Sequence, residues 1–163
     1  MTRTRFIAYL FSFAILAGLL SCTEEVKPTP YTYTKVFTSE NSKTWKITKV
    51  SLSVTGKADE DITLSTCEID DRYIFYNNAE RLYEVTNGKT SCDSDEPSTL
   101  VSYTWSFSNS GASLNIVIPH FFGNFIIPFI VRKATDKTME LEIFLNQENT
   151  ISYVFYFESV EKN

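Results

Sequence analysis

Apolar and polar side chains alternate along much of this chain, and the alternation has a period of two. Val101, Tyr103, Trp105 and Phe107 are separated by Ser102, Thr104 and Ser106, which predicts a strand with one buried and one wet face. Ser108, Asn109, Ser110 and Gly111 then supply turn chemistry, and Leu114, Ile116 and Ile118 line a further strand. Met139, Leu141 and Ile143 alternate with Glu140 and Glu142 after a turn at Thr135, Asp136 and Lys137, and Ile151, Tyr153, Phe155 and Phe157 alternate with Ser152 and Glu158. Residues 123–132 are apolar on both faces. Upstream, Trp45 and Ile47 share one face, while Val50, Leu52 and Val54 share one after a shift of phase that predicts a β-bulge.

Two more runs, residues 72–76 and 82–86, flank the turn-rich residues 77–81 and predict a hairpin. Paired residues in an antiparallel hairpin have numbers with a constant total. A total of 158 puts Phe75 opposite Tyr83 and Tyr73 opposite Val85 on one face, with Arg72 opposite Thr86 and Ile74 opposite Glu84 on the other, a cleaner division than a total of 159. The whole pattern gives eight strands, short links, and no helix beyond a turn or two around residues 35–42. An all-β fold follows, read as an eight-stranded antiparallel up-and-down barrel, because closure removes sheet edges. A β-sandwich is the alternative; it needs generous loops, and only residues 55–66 and 93–99 provide them.

The N-terminus follows a different rule. Arg3 and Arg5 precede fifteen uncharged residues, 6–20, a signal-peptide pattern too short for a transmembrane helix. It ends in Leu19-Leu20-Ser21-Cys22, which resembles the lipobox of bacterial lipoproteins. That resemblance implies cleavage before Cys22, lipidation of its thiol with acyl chains such as palmitate, and anchoring by several chains where one holds only marginally. Cleavage of an ordinary secretory signal nearby, with Cys22 incidental, is the alternative. Thr23-Glu24-Glu25 is similar to acidic signals that export some Gram-negative lipoproteins to the cell surface, and equally suits a solvated linker. Residues 1–21 are thus read as signal, 22–34 as anchor and tether containing Pro28 and Pro30, and 35–163 as the barrel domain, in the outer membrane of a Gram-negative bacterium.

Composition narrows the function. The 163 residues are 43% hydrophobic, enough for one core, and the net charge of −5 falls to −7 once Arg3 and Arg5 leave with the signal. Nucleic acid is therefore excluded as a partner class. In an exported chain Cys67 and Cys92 are expected to oxidise and staple the open end of the hairpin, with a one-residue bulge near Gly88 bringing Cys92 opposite Cys67. In the chain-entropy picture the bridge contributes roughly 3–4 kcal/mol. Metal binding by the two thiols and nearby acids is the other reading, weakened by the want of a matched His or Cys set.

Several of these pieces together resemble the lipocalin-like domains of Gram-negative lipoproteins: Lys43-Thr44-Trp45-Lys46-Ile47, then Cys67, Asp70-Asp71, Phe75, Tyr83, Gly88 and Cys92-Asp93, then Thr104-Trp105-Ser106-Phe107 ahead of Leu114. The resemblance covers about half the mature chain and implies an eight-stranded barrel with an apolar interior and no established catalytic activity. Thr44 stands where lipocalins carry Gly, and residues 77–81 replace their tight turn. In lipocalins an arginine stacks on the conserved Trp; Arg132 is the candidate here, against the plainer reading of a solvated arginine at a strand end.

A ligand-binding barrel would be lined by Trp45, Phe75, Tyr83, Tyr103, Trp105, Phe125, Phe129 and Phe155, with Phe157 also inward. Such a lining selects a small apolar guest, an acyl chain, sterol-like ring or pigment; side chains this large also suffice to fill the barrel. Phe121 and Phe122 fall where a turn is expected and either close one end or form a patch for a protein partner. His120, the one histidine, finds no Ser or Cys partner in the pattern, and the acids at 59–61, 70–71 and 93–96 match no calcium-loop spacing and read as solvated. The expected function is therefore a lipid-anchored, non-enzymatic envelope protein that binds a small apolar ligand and needs no cofactor. The alternative is a filled barrel serving as accessory subunit or inhibitor of another envelope protein.

Overall fold

A computed structural model describes residues 30–160; the signal segment, Cys22 and the first part of the tether lie outside the described residues. The chain is mostly strand, arranged as one nearly closed antiparallel barrel-like sheet. Helix α1 (Pro30–Thr38) leads into β1 (Ser42–Val54) and the short β2 (Glu60–Ile62). Helix α2 (Thr66–Asp70) precedes the hairpin β3 (Arg72–Tyr76) and β4 (Leu82–Thr86). β5 (Thr99–Thr104), β6 (Ser106–Ser108) and β7 (Ser113–Ile116) follow, then helix α3 (Pro119–Phe122). β8 (Ile127–Ala134), β9 (Thr138–Phe144) and β10 (Ile151–Ser159) complete the fold.

The hairpin register is the expected one, with Tyr73 opposite Val85 and Phe75 opposite Tyr83. The bulge in β1 lies between Ile47 and Lys49, where the pairing with β10 shifts, and it lets Trp45, Ile47 and Val50 all face inward. Helix α1 starts earlier than residues 35–42 and takes in residues read as tether.

Three expectations need correction. The sheet has ten strands, not eight, because residues 60–62 add β2 against β1 and the run through Trp105 is divided. Trp105 is where the chain changes partner: its backbone N–H still donates to the Arg81 carbonyl at 2.9 Å, in the β4–β5 register, and its indole N–H to the Tyr76 carbonyl at 3.1 Å, whereas from Ser106 on the pairing is with β7. β5 therefore pairs with β4 and β6 with β7, and the chain crosses from one edge of the sheet to the other through this single residue. Second, β8 begins at Ile127 rather than 123, since residues 119–122 form α3 and residues 123–126 are an exposed loop that leads out of it. Third, no bulge near Gly88 carries the hairpin on to the cysteines, because Cys67 sits on α2 and Cys92 in the β4–β5 loop.

The interior is filled by the chain itself. Trp45, Tyr73, Phe75, Tyr83, Trp105, Phe129, Phe155 and Phe157 are buried to within 1%, in one cluster with Leu114, Ile116, Met139 and Leu141. Rings meet edge-on or tilted, Phe75 on Tyr83 at 4.8 Å, Tyr73 on Phe157 at 5.4 Å and Phe129 on Phe155 at 5.6 Å. Each such side chain contributes roughly 1.5–3 kcal/mol on burial.

Two helices close the ends. At the end where β1 begins, Phe37 of α1 is fully buried beside Phe75 and Phe107, and the Trp45 indole donates to the Phe37 carbonyl at 2.9 Å. Lys43 holds the same corner: its ammonium lies 4.5 Å from the Trp45 ring and donates to the carbonyls of Val36 and Asp136. The cation on Trp45 is thus Lys43, whereas Arg132 stays near the surface beside Glu142 at 3.8 Å. At the other end α3 folds inward, with Phe121 on Phe155 at 4.9 Å and Phe122 on Phe129 at 5.8 Å. The Tyr83 hydroxyl donates to the buried Val117 carbonyl at 2.8 Å and pins the segment that enters α3.

Because Phe37 plugs the β1 end, Phe37→Ala is expected to cost about 3–5 kcal/mol in urea unfolding. A loss under about 1 kcal/mol, at the scale of an exposed site, would contradict the packing of α1.

Candidate functional site at the disulfide end

Polar chemistry gathers at the α3 end, where α2, the β4–β5 loop and α3 meet. Helix α2 forms despite its five residues because Ser65 caps it: the Ser65 hydroxyl accepts from the Glu68 backbone N–H, and the Glu68 carboxylate accepts from the Ser65 N–H at 2.7 Å. This capping box presents Cys67, which is bonded to Cys92 with the two Cα atoms 5.2 Å apart. The bridge ties α2 to the β4–β5 loop.

Backbone contacts fix the loop further. The Asp70 carboxylate accepts from the N–H groups of Lys89 and Thr90 at 2.7 and 3.1 Å, and Arg72 donates to the carbonyls of Asp70 and Asp71. Gly88 passes so close to Asp70 that a Cβ there would fall inside the Asp70 carbonyl and carboxyl, so only glycine fits. The Glu96 carboxylate accepts from the Cys92 N–H at 2.7 Å, folding the loop back on the bridge.

Asp71 and His120 form the centre. The acid is 1% exposed, and His120 Nε2 donates to its Oδ2 at 3.0 Å. Asp71 is therefore no solvated loop acid, and His120 joins α3 to the start of β3. The same Nε2 lies 3.9 Å from Cys92 Sγ. Burial pushes the Asp71 carboxyl above its ordinary range, with Glu96 and Asp70 adding to the rise and His120 opposing it. His120 is held above the usual imidazole value, first by its hydrogen bond to Asp71 and also by the charges of Asp71, Glu96 and Glu68, against the pull of burial. The protonated form of His120 is thus stabilised relative to a free imidazole, beside a disulfide sulfur.

The candidate lining residues separate into two groups. Trp45, Phe75, Tyr83, Trp105, Phe129 and Phe155 come together in the packed core. Tyr103 and Phe125 do not: they are 42% and 74% exposed. Tyr103 stands opposite Tyr83 in the register, but it lies on β5, an edge strand of the sheet, and is exposed although Val101 and Trp105 on either side of it are buried. Phe125 sits in the loop between α3 and β8, with no strand to turn it inward. Two depressions among the described residues are open and lie at the rim. One of about 350 Å³ is lined by Ser39, Lys43 and Lys137 at the α1 end, another of about 310 Å³ by Lys35, Arg81 and Trp105.

These features define a class: a disulfide-stapled antiparallel β-barrel with a filled interior and an acid–imidazole pair at one mouth. Comparison with known families finds no family model that matches the chain, and comparison with curated proteins finds no match. Among the described residues no helix is long and apolar enough to cross a membrane.

A histidine raised by its partner contributes stability that is complete below its unfolded pKa of about 6.5 and lost as pH climbs through the folded value. Asp71, also raised, has the same sign: the folded state keeps its proton to higher pH. The melting temperature should therefore fall from pH 6 to pH 8 more in the wild type than in Asp71→Asn. By NMR, the single imidazole should titrate above the ordinary value and return toward it in Asp71→Asn. An unshifted wild-type titration would refute the pairing.

Proposed function

We propose that the protein is a lipid-anchored, non-enzymatic envelope module with a lipocalin-like up-and-down barrel, held in the outer membrane of a Gram-negative bacterium by lipid on Cys22. In this reading it acts through its surface, as accessory subunit or inhibitor of another envelope protein. The observation that carries the reading is the filled interior: Trp45, Phe75, Tyr83, Trp105, Phe129 and Phe155 occupy the space a guest would need. The Asp71–His120 pair does not argue for catalysis, because the sulfur in front of the imidazole is bonded in a disulfide and offers no thiolate to activate.

The anchor rests on the lipobox-like Leu19-Leu20-Ser21-Cys22. The chain from it enters the barrel through α1, at the β1 end. At the opposite end the α3–β8 loop exposes Phe125 at 74% and Ile126 at 51%, and Ile69 of α2 and Leu145 of the β9–β10 turn are exposed as well. That end faces away from the anchor and suits a protein partner.

A second reading has its own support. Phe121 and Phe122 of α3 are only partly buried on the core, and α3 is a single turn. A small apolar ligand that displaces this turn would gain access to Phe129 and Phe155.

Growth with an alkyne fatty acid is expected to label the wild-type chain and leave Cys22→Ser unlabelled. In intact envelopes, a cross-linked partner band should disappear when Phe125 and Ile126 are both changed to Ser. Labelling that survives Cys22→Ser contradicts the anchor, and a cross-linking pattern indifferent to the double change contradicts the docking end.

A further inference from the structure

The sequence offers two thiols without a matched histidine; the fold supplies one. Cys92 Sγ, His120 Nε2 and a Glu96 carboxylate oxygen all lie within 4.8 Å of one another, with Cys67 bonded to Cys92. They come from three elements, α2, the β4–β5 loop and α3, so their convergence is a product of the tertiary fold rather than of local spacing. Zinc bonds of about 2.3 Å to sulfur and about 2.0–2.1 Å to nitrogen place neighbouring S and N donors of a tetrahedron about 3.5 Å apart. The Cys92 Sγ to His120 Nε2 separation is 3.9 Å, close to that edge. The nearly fully buried Asp71 carboxylate, 3.0 Å from the same nitrogen, adds negative charge beside the position. While the bridge is intact the sulfurs are no thiolate ligands.

We propose that reduction of the Cys67–Cys92 bridge turns this corner into a zinc site, with the two thiolates, His120 Nε2 and the Glu96 carboxylate as its four donors. A dithiol reductant gives two electrons and two protons to the bridge, its own sulfurs closing to a disulfide. Zinc binding then releases to solvent the two thiol protons and the proton that His120 Nε2 donates to Asp71, so the zinc bond replaces that hydrogen bond and the Asp71 carboxylate is left facing the cation. The disulfide and the metal are alternative clasps on the same three elements, exchanged by the redox state of the surroundings. Cys92 and part of His120 reach the surface, so the ion has a way in.

The test uses the full chain with Cys22→Ser, so that only these two thiols are present. Titrated with zinc alone, the reduced chain is expected to bind one ion at least about 100-fold more tightly than the oxidised chain. Cobalt in place of zinc should give thiolate charge-transfer absorption and tetrahedral d–d bands. His120→Gln retains a donor for Asp71, and Glu96→Gln retains an acceptor for the Cys92 N–H, so both preserve the local fold while removing a good zinc ligand. Each should weaken binding at least about tenfold. If reduction loosens the domain, zinc should restore the near-ultraviolet circular dichroism of Trp45 and Trp105. Equal affinity in the two redox states, either variant binding as tightly as the parent, or failure of zinc to restore a lost signal would overturn the proposal.

Discussion

β1 and β10 pair along almost their whole length, from Trp45 opposite Ser159 to Val54 opposite Ile151, and this ladder brings the two halves of the chain into one sheet. β3, β4 and β5 extend the sheet from one side of it, and β9, β8, β7 and β6 from the other. The pairing is non-local, so its closure entropy has to be recovered by what it encloses. The β1 bulge between Ile47 and Lys49 makes that recovery possible: Val50 continues the inward row of Trp45 and Ile47, so the strand serves the core through its change of phase. Without the shift, strict alternation from Ile47 would turn Val50 outward.

The enclosed space then determines what the ends do. An interior packed with Trp and Phe rings leaves little for a ligand, and both mouths are closed by helical segments that contribute rings of their own, Phe37 below and Phe121 and Phe122 above. Aromatic side chains are long enough to reach the barrel axis and lose few rotamers on burial, which fits them to this filling role. The polar chemistry is displaced to the α3 mouth. There a buried carboxylate is tolerated because His120 and the Arg72-braced backbone surround it.

The period-two runs made most strands legible, and the hairpin register followed from which faces carried Phe75, Tyr83, Tyr73 and Val85. What escaped the pattern has physical reasons. Trp105 keeps perfect alternation in sequence, yet the strand is divided there because residues before it pair with β4 and residues after it with β7, a change of partner that no local pattern announces. The Asp71–His120 pair spans 49 residues and depends on α3 folding inward. Its one sequence signal was an isolated histidine beside two phenylalanines in a predicted turn, a hint that this turn was apolar enough to go inside. Gly88 was visible as a residue, but its reason, the close approach to Asp70, belongs to the tertiary structure. An exported chain with two such cysteines implies one bridge, whereas the helix that carries Cys67 is too short for a periodic pattern and shows in the sequence only as a capping box, Ser65 with Glu68.

Native mass spectrometry of the full chain, made with Cys22→Ser and exported from a Gram-negative host, tests the central claim most directly: the barrel is filled by its own side chains. The account predicts a bare polypeptide mass, two hydrogens light for the Cys67–Cys92 bridge, that does not change on solvent extraction. A stoichiometric added mass that leaves into organic solvent would contradict it and make the interior a binding cavity.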